Sequence, residues 1–293
     1  MTLDQLRIFV TVAELQHVTR AAEQLNMTQS SVSAAISALE ARHQIMLFDR
    51  VGRGIEITAE GAQFLDQAQA VLAQVNVAET MLADLAGTRR GSLTIFASQT
   101  IANYWLPAYV VAYMQRYPNI RLNVEIGNTS ESAAAVLGGR AQLGFIEGDV
   151  DLPVLQMTDV AEDRLVLIVG SQHPWAVRAP DLPGDIRRAK WALREAGSGT
   201  RSSFEQALAA YGLLPTDLNV ALELPSNEAL CTAVAAGELA TVMSESVVAA
   251  GVAAGRLVKL PLDIGRRTFR LINHKDRHLT RAALAFMELL PSV

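Results

Sequence analysis

Two short polar segments of this 293-residue chain combine residue types suited to holding a small anion. The first, Ser98-Gln99-Thr100, lies between an apolar run and a helical pattern, so its hydroxyls and free backbone N–H groups would meet at a helix N-terminus. The second, Arg194-Glu-Ala-Gly-Ser-Gly-Thr-Arg201, has the same setting, and Gly197 and Gly199 would let backbone donors approach a ligand closely. An ordinary helix cap and a bland glycine turn are the alternative interpretations.

Other polar residues fall at the ends of predicted strands. Asn128 and Thr129 begin a predicted helix, and Glu147 ends a strand. A carboxylate beside an anion requires a positive partner, which Arg194 or Arg201 could supply, although a simple surface glutamate is an equally good interpretation. The complete set of candidate anion-binding residues is Ser98, Gln99, Thr100, Asn128, Thr129, Glu147, Arg194, Glu195, Gly197, Ser198, Gly199, Thr200 and Arg201.

The inventory of reactive residues argues against an enzyme. The chain has no Gly-x-Ser-x-Gly motif, no Rossmann glycine pattern after a first strand and no metal-ligand spacing among its histidines. Its one cysteine, Cys231, cannot form an internal disulfide and is interpreted as a small buried residue. Polar residues interrupt the apolar N-terminus, so neither a signal peptide nor a membrane span is expected. We predict a cytoplasmic protein without catalytic, metal, cofactor or membrane sites.

Three helices are predicted at the N-terminus. Thr2 and Gln5 have the spacing of a capping box before the first helix, the second covers 20–25, and Thr28 can cap the third. The third helix has an apolar stripe of Val32, Ile36 and Leu39, and its opposite face carries Gln29, Ser30, Ser33 and Ser37. Two short helices joined by a tight turn are typical of a helix-turn-helix that binds DNA, although any small three-helix unit could share the pattern.

Charge gives the DNA hypothesis little support. The formal net charge is −5 at pH 7, and residues 1–60 contain more acidic residues than arginines, whereas phosphate binding normally requires a basic excess. The hypothesis therefore depends on where the arginines lie. Residues 50–58 are predicted to form a glycine-tipped, two-stranded wing, on which Arg50 and Arg53 could straddle a phosphate backbone.

A long helix and a hinge follow the wing. Apolar residues at alternating spacings of three and four continue over roughly residues 59–86, which at about 1.5 Å per residue predicts a rod of roughly 40 Å. Such a rod is too long to bury in one small domain, so we expect it to pair with a second copy of the chain. Residues 87–91 are predicted to be a hinge linker.

From residue 93 onward strands alternate with helices, which predicts an α/β fold. The predicted strands are 93–97, 120–126, 143–146, 165–169, 191–193, 220–224, 239–242, 257–260 and 269–272. The predicted helices include 100–117, 130–137 and a last helix at about 280–290.

The N-terminal segment also carries a long string of residues in one register. It consists of Leu6-Arg7-x-Phe9, Thr19-Arg20-Ala21-Ala22-Glu23-x-Leu25, Thr28-Gln29-Ser30-x-Val32-Ser33, Ile36, Leu39-Glu40, Leu47-Phe48-x-Arg50 and Thr58-x-x-Gly61. This string resembles the LysR-type transcriptional regulators, and the long helix and the α/β region fit that family over nearly the whole chain. Gln44-Ile45 departs from the usual leucine-glycine turn, and no lysine precedes Lys190. These departures put strong non-specific DNA binding in doubt.

The resemblance implies a division of the chain into three parts. These are a winged helix-turn-helix over 1–58, a dimerising linker helix with a hinge over 59–91, and an effector-binding domain over 92–293. The last part would resemble the type-2 periplasmic-binding-protein fold, with lobe one at 92–161 and 266–293, lobe two at 162–265, and crossings near 162–165 and 265–268.

In a LysR-type regulator the third helix would lie in the major groove of promoter DNA. Base edges would be read from the polar face of that helix, and arginines on the second helix and the wing would hold phosphates. Each serine could equally be a solvated helix residue. The candidate DNA-binding residues are Arg20, Gln29, Ser30, Ser33, Ala34, Ser37, Arg50 and Arg53.

The segment 194–201 looks like a signature of the branch that governs sulfur assimilation and carbon fixation, whose effectors are small acids or oxyanions. The resemblance implies a dimer, and a tetramer of two dimers, controlled by an anion such as sulfite bound between the lobes. A ligand-independent LysR-type repressor is the alternative. A solute-binding protein is a weaker one, because it would carry a secretion signal and no DNA-binding head.

Overall fold

The computed structural model describes residues 1–51, 54–85, 91–148, 150–181 and 183–291. These residues form two compact units, one from the N-terminus to the end of the long helix and the other from residue 91 onward except for Gly138–Arg140. Within the described residues, no helix combines the length and apolar character needed to cross a bilayer.

The N-terminal unit is a three-helix bundle with a two-stranded wing and a long helix. Its elements are α1 (Leu3–Leu15), α2 (Val18–Gln24), α3 (Gln29–His43), β1 (Phe48–Val51), β2 (Gly54–Ile57) and α4 (Ala59–Leu85). The capping box of Thr2 and Gln5 is present, and the Thr28 hydroxyl accepts the N–H of Ser31 as the predicted cap. Thr58 caps α4 by accepting the N–H of Gly61 at 2.9 Å.

Aromatic packing ties the wing to the helices of this unit. The ring of Phe9 on α1 lies 5.4 Å from Phe48 of the wing and 4.9 Å from Phe64 of α4, measured between centroids. The carboxylate of Glu40 on α3 accepts the N–H groups of Leu47 and Phe48 at 2.8 and 3.2 Å. The start of the wing is therefore held against α3 by both packing and hydrogen bonds.

The second unit is built on one eight-stranded sheet with the order β4-β3-β5-β10-β6-β9-β7-β8. The strands are β3 (Gly91–Ser98), β4 (Ile120–Gly127), β5 (Leu143–Glu147), β6 (Leu155–Gly170), β7 (Lys190–Leu193), β8 (Asn219–Glu223), β9 (Ala240–Ser244) and β10 (Leu257–His274). The helices are α5 (Leu106–Arg116), α6 (Thr129–Gly138), α7 (Gly184–Arg188), α8 (Gly199–Ala207), α9 (Asn227–Ala236), α10 (Glu245–Ala253) and α11 (Arg281–Met287).

The sheet has two parallel halves joined by a central antiparallel pair. β3 pairs in parallel with β4 and β5, and β7 pairs in parallel with β8 and β9, whereas β6 and β10 are antiparallel to each other along most of their length. Each half has its own core, one containing Phe145 and Phe286 and the other containing Trp191 and Phe204. We call the part built on β3–β5 the first half and the part built on β7–β9 the second half.

Three details of the α/β unit differ from the sequence prediction. The predicted strand 165–169 is longer, because β6 begins at Leu155. The predicted strands 257–260 and 269–272 are one strand, β10, because Pro261 and Gly265 between them are accommodated by register shifts against β6 rather than by a break. The predicted helix 100–117 begins with a π-helical turn, Ile101–Trp105. That turn is followed directly by α5, whose second residue, Pro107, has no N–H to donate to the preceding turn.

Candidate functional site

The polar face of α3 lies open beside a groove. Gln29, Ser30, Ala34 and Ser37 are exposed, and Ser33 is half-buried. A groove of about 550 Å³ runs between α2, α3 and the wing, and three of the predicted base-reading residues line it: Gln29, Ser33 and Ser37. Ser30 and Ala34 are not among the residues lining it, and the Ser30 hydroxyl hydrogen-bonds to that of Thr28 at 3.0 Å.

The charges around this groove are mixed. Arg20 is exposed on α2, whereas Glu40 and Asp49 line the groove itself. Arg50 lies in β1 opposite Ile55, and Arg53 lies outside the described residues. Two carboxylates beside this groove would repel phosphate, so any DNA contact there would have to depend on hydrogen bonds and shape more than on charge.

In the second unit, the predicted anion-binding residues of the first half converge on one edge of the sheet. Ser98 ends β3 and pairs with Gly127 of β4, so Asn128 and Thr129 begin α6 beside it. Glu147 ends β5, and its N–H is within 3.3 Å of the Thr129 hydroxyl. The carboxyl ends of parallel strands are where α/β sheets place their ligands.

Direct hydrogen bonds join the predicted residues of the first half to the second half. Gln99 donates to the carbonyl of Pro225 and accepts the N–H of Asn227, whose side-chain amide donates to the Thr100 hydroxyl. Asn128 donates to Glu195 at 3.2 Å. The sequence missed Asn227, although it follows Ser226, the cap of α9, in a position typical of a helix start.

Gly197 and Gly199 allow the start of α8 to approach the first half closely. A Cβ on Gly199 would lie 2.6 Å from the carbonyl oxygen of Glu147 and 2.7 Å from the Thr129 hydroxyl. Gly197 has a φ of +88°, which favours glycine, and a Cβ there would lie 3.0 Å from the Ser130 hydroxyl. The space that these glycines leave is filled by protein atoms of the opposite half.

The start of α8 also presents unused donors. Ser202 is the first residue of this helix whose N–H donates to a backbone carbonyl, that of Ser198. Among the hydrogen bonds of the described residues, none gives an acceptor to the N–H groups of Gly199, Thr200 and Arg201, and the Ser198 side chain makes no capping bond. Such a helix start attracts anions through its N–H groups and its dipole.

Each predicted arginine of this site already has an acidic partner. Arg194 is buried and donates two hydrogen bonds to the Glu195 carboxylate, of 2.8 and 2.9 Å. Burial raises the pKa of Glu195, but hydrogen bonds and charge from Arg194 outweigh it, so the pKa of Glu195 is lowered overall. Arg201 pairs with Glu205 at 2.8 Å and with Glu223. Neither arginine reaches Glu147 through a bond that the structure records.

The partner of Glu147 is Arg267, which the sequence analysis did not single out. The Arg267 guanidinium donates from Nη1 to Glu147 Oε2 and to the Thr200 hydroxyl, both at 2.9 Å, and from Nε to Asp163 at 2.8 Å. The Ser244 hydroxyl donates to the other Asp163 oxygen at 2.7 Å. We call Glu147, Asp163, Thr200, Ser244 and Arg267 the ionic cluster.

The ionic cluster corrects two expectations about Glu147. The expectation that Arg194 or Arg201 would balance its charge is wrong, because Arg267 does so. The surface interpretation is also wrong, since only 3% of Glu147 is exposed. The signal for Arg267 was the adjacent pair Arg266-Arg267 at the predicted crossing, where a charged side chain must find a partner once the strand is buried.

Some buried polar atoms of this region lack a hydrogen-bond partner. They include Ser98 Oγ, Glu147 Oε1 and Arg267 Nη2. Arg267 Nη2 lies 2.7 Å from Asp163, an ion-pair distance without hydrogen-bond geometry. A buried polar atom left without any partner costs about 1–3 kcal/mol, so Ser98 Oγ and Glu147 Oε1 are atoms at which a bound group would be stabilised.

The cysteine is not arranged for reactivity. Burial, followed by the charge of Glu228, raises the pKa of the Cys231 thiol to about 11, so little thiolate is present at neutral pH. The described residues contain no group of three or more histidine, cysteine, aspartate or glutamate side chains that could hold a metal ion.

Comparison with known proteins places both units in one family. Residues 3–62 match the model of the bacterial regulatory helix-turn-helix protein, lysR family, and residues 86–293 match that of the LysR substrate binding domain. The uncharacterized HTH-type transcriptional regulator YeiE of Escherichia coli K12 is 34% identical over 290 residues, 98% of this chain and 96% of YeiE. The probable RuBisCO transcriptional regulator of Trichormus variabilis is 30% identical over 99% of this chain and 88% of that protein.

Solved structures share the fold. Full-length CbnR in complex with its target DNA superposes with a TM-score of 0.68, at 21% identity, over 99% of both chains. The chain therefore belongs to the LysR family of bacterial transcriptional regulators. It is a DNA-binding regulator with an effector-binding domain rather than an enzyme, and proteins of this class act in the cytoplasm.

Replacing Arg20 with alanine is expected to weaken DNA binding by a similar factor for promoter and unrelated sequences. A phosphate contact carries no base information, so the slope of log affinity against log salt concentration should fall by about 1. Fluorescence anisotropy over a salt series measures both quantities. Arg7→Ala is the matched control, since Arg7 pairs with Asp4 on α1. An unchanged salt slope in Arg20→Ala would remove Arg20 from the interface.

Replacing Gly199 with alanine is expected to force α8 away from Glu147 and Thr129. Overpacking of this kind costs about 1–3 kcal/mol of unfolding free energy, which urea denaturation followed by tryptophan fluorescence measures in this unit, where Trp105, Trp175 and Trp191 all lie. Gly138→Ala is the control, because a Cβ there meets no atom within 4 Å. Equal unfolding free energies in the two variants would contradict the close approach.

Proposed function

We propose that this regulator is controlled by a small anion bound between the two halves of its second unit, at the start of α8. The observation that carries the proposal is the set of three backbone N–H groups at Gly199, Thr200 and Arg201 without acceptors, next to buried hydroxyls of both halves. A helix start of this kind binds oxyanions through backbone donors alone. The donors need no free cation, which fits arginines that are already paired.

Sulfite or a similar small oxyanion is the effector we favour. Ser98, Thr100 and Ser198 are nearly fully buried. Their short side chains supply hydroxyl groups that suit a compact polar ligand. Apolar lining typical of sites for larger metabolites does not dominate among these residues. The likeness to probable RuBisCO transcriptional regulators supports a place in the branch that responds to small acids.

For DNA recognition, we propose that α3 enters the major groove and that Gln29, Ser33 and Ser37 read base edges from the groove beside the wing. Ser30 and Ala34 are exposed on the same helix and complete this surface. Arg20 holds a phosphate, and Arg50 and Arg53 of the wing are assigned the same role on the family resemblance. The complex of CbnR with its target DNA supports this assignment through the shared fold.

The division of the chain follows from the same proposal. Residues 1–58 bind DNA, 59–91 link and dimerise, and 92–293 sense the effector, with one lobe at 92–161 and 266–293 and the other at 162–265. Two dimers forming a tetramer would contact two half-sites. Effector binding then changes lobe closure, and the oligomer converts that change into a different spacing of its DNA-binding heads.

A regulator that needs no ligand is the second candidate. It is favoured by one observation: the halves are already joined directly by the bonds of Gln99 and Thr100 with Asn227. A pocket closed by its own side chains could be vestigial. The two candidates differ in whether any anion binds.

Calorimetric titration of the purified protein with sulfite, sulfate, thiosulfate and small carboxylates tests the proposal. We expect saturable binding of one anion, weakened at least tenfold, or about 1.4 kcal/mol, in Ser98→Ala and Thr200→Ala. Ser92→Ala is the control, because Ser92 is an exposed serine on β3, the same strand that ends at Ser98. Absence of binding by all of these anions, with DNA binding intact, would favour the ligand-independent regulator.

A further inference from the structure

We propose that the site selects an oxyanion that still carries a proton, and that Glu147 accepts a hydrogen bond from the hydroxyl of that ligand. The ligand class is a singly charged oxyacid anion that keeps a proton, such as hydrogensulfite or dihydrogenphosphate, in preference to a fully deprotonated ion such as sulfate. This inference rests on the proposed anion site and specifies what that site distinguishes.

The first support is the position of the Glu147 carboxylate. Its Oε2 atom receives Arg267 Nη1 of β10 and faces the Thr200 hydroxyl of α8, 3.3 Å away, so the carboxylate lies between the two halves. Its Oε1 atom is buried and has no hydrogen-bond donor among the described residues. A carboxylate oxygen can only accept, so the missing partner must be a donor.

The second support is the balance of charge. The ionic cluster holds two carboxylates, Glu147 and Asp163, against the single guanidinium of Arg267. Arg194 is paired with Glu195, and Arg201 is paired with Glu205 and Glu223. A second negative charge on the ligand would therefore meet an already acidic surrounding, and repulsion at short range in a buried site is strong.

The third support is the pairing of donors and acceptors. The N–H groups of Gly199, Thr200 and Arg201 supply donors for the ligand's unprotonated oxygens. Glu147 Oε1 supplies an acceptor for a ligand hydroxyl. An oxyanion without a proton would accept from the N–H donors, but Glu147 Oε1 would then face a lone pair of the ligand. A ligand that leaves a buried polar group of the site unpaired is rejected strongly.

The test compares phosphate with sulfate, which have the same shape, and follows sulfite binding as the pH is raised through neutrality. In the unaltered protein, phosphate is expected to outcompete sulfate at least tenfold below neutral pH, where phosphate is mostly the singly charged dihydrogenphosphate. Sulfite affinity should fall about tenfold per pH unit once the free ligand has lost its proton, as a one-proton requirement demands. The Glu147→Gln variant offers an amide donor in place of the acceptor, so it should admit sulfate and lose most of the pH dependence.

Asp163→Asn is the matched control, because it removes one negative charge from the same ionic cluster but leaves Glu147 Oε1 in place. It should bind every anion more tightly, because one negative charge is gone, but it should still favour the protonated anions over sulfate. Sulfate binding equal to that of phosphate in the unaltered protein, or Glu147→Gln still excluding sulfate while it binds sulfite, would overturn the inference and leave the anion site standing. If no oxyanion binds, both the inference and the proposed anion site are overturned. The pH series uses the unaltered protein, so its result does not depend on whether a variant folds.

Discussion

The guanidinium of Arg267 is the group on which the arrangement of the second unit depends. It lies on β10 where the chain passes between the halves, and it joins Glu147 of the first half, Asp163 of β6 and Thr200 of the second half. A buried charge is tolerable only with partners of this kind, and removal of one partner typically costs about 3–5 kcal/mol. The ionic cluster therefore fixes how the central strands and both halves meet.

This placement gives ligand binding a route to the rest of the unit. The register shifts of β10 against β6 lie on both sides of Arg267, between Lys259 and Arg266 and between Phe269 and Arg270. A ligand bound at the proposed site, beside Glu147 and Thr200, would change the charge and hydrogen bonding of the cluster next to those irregular pairs. Lobe motion in two-lobed folds occurs at such crossing segments, where few residues absorb the change.

Much of the fold was predictable because local patterns report it directly. Helix caps at Thr2 and Thr28 and the alternation of strands with helices depend on neighbours in sequence, and they are confirmed. The anion-binding candidates at strand ends were found for the same reason, and the structure brings them to facing edges. Their binding roles remain a proposal.

What the sequence did not reveal depends on pairs that are distant along the chain. Arg267 meets Glu147 across 120 residues, and no periodicity or motif links the two positions. β10 was divided in two because Pro261 and Gly265 normally interrupt strands, and only the pairing partner β6 shows that a bulged strand continues. Both misses concern the crossing segment, where tertiary contacts override local signals.

If the proposed site is the sensor, an oxyanion bound beside Glu147 and Thr200 alters how the protein occupies DNA. DNase I footprinting of the protein on its promoter, with and without saturating sulfite, tests this. We expect sulfite to change the length or spacing of the protected region, and we expect Thr200→Val to abolish this change while basal protection persists. Identical footprints with and without an anion that calorimetry has proved to bind would contradict it.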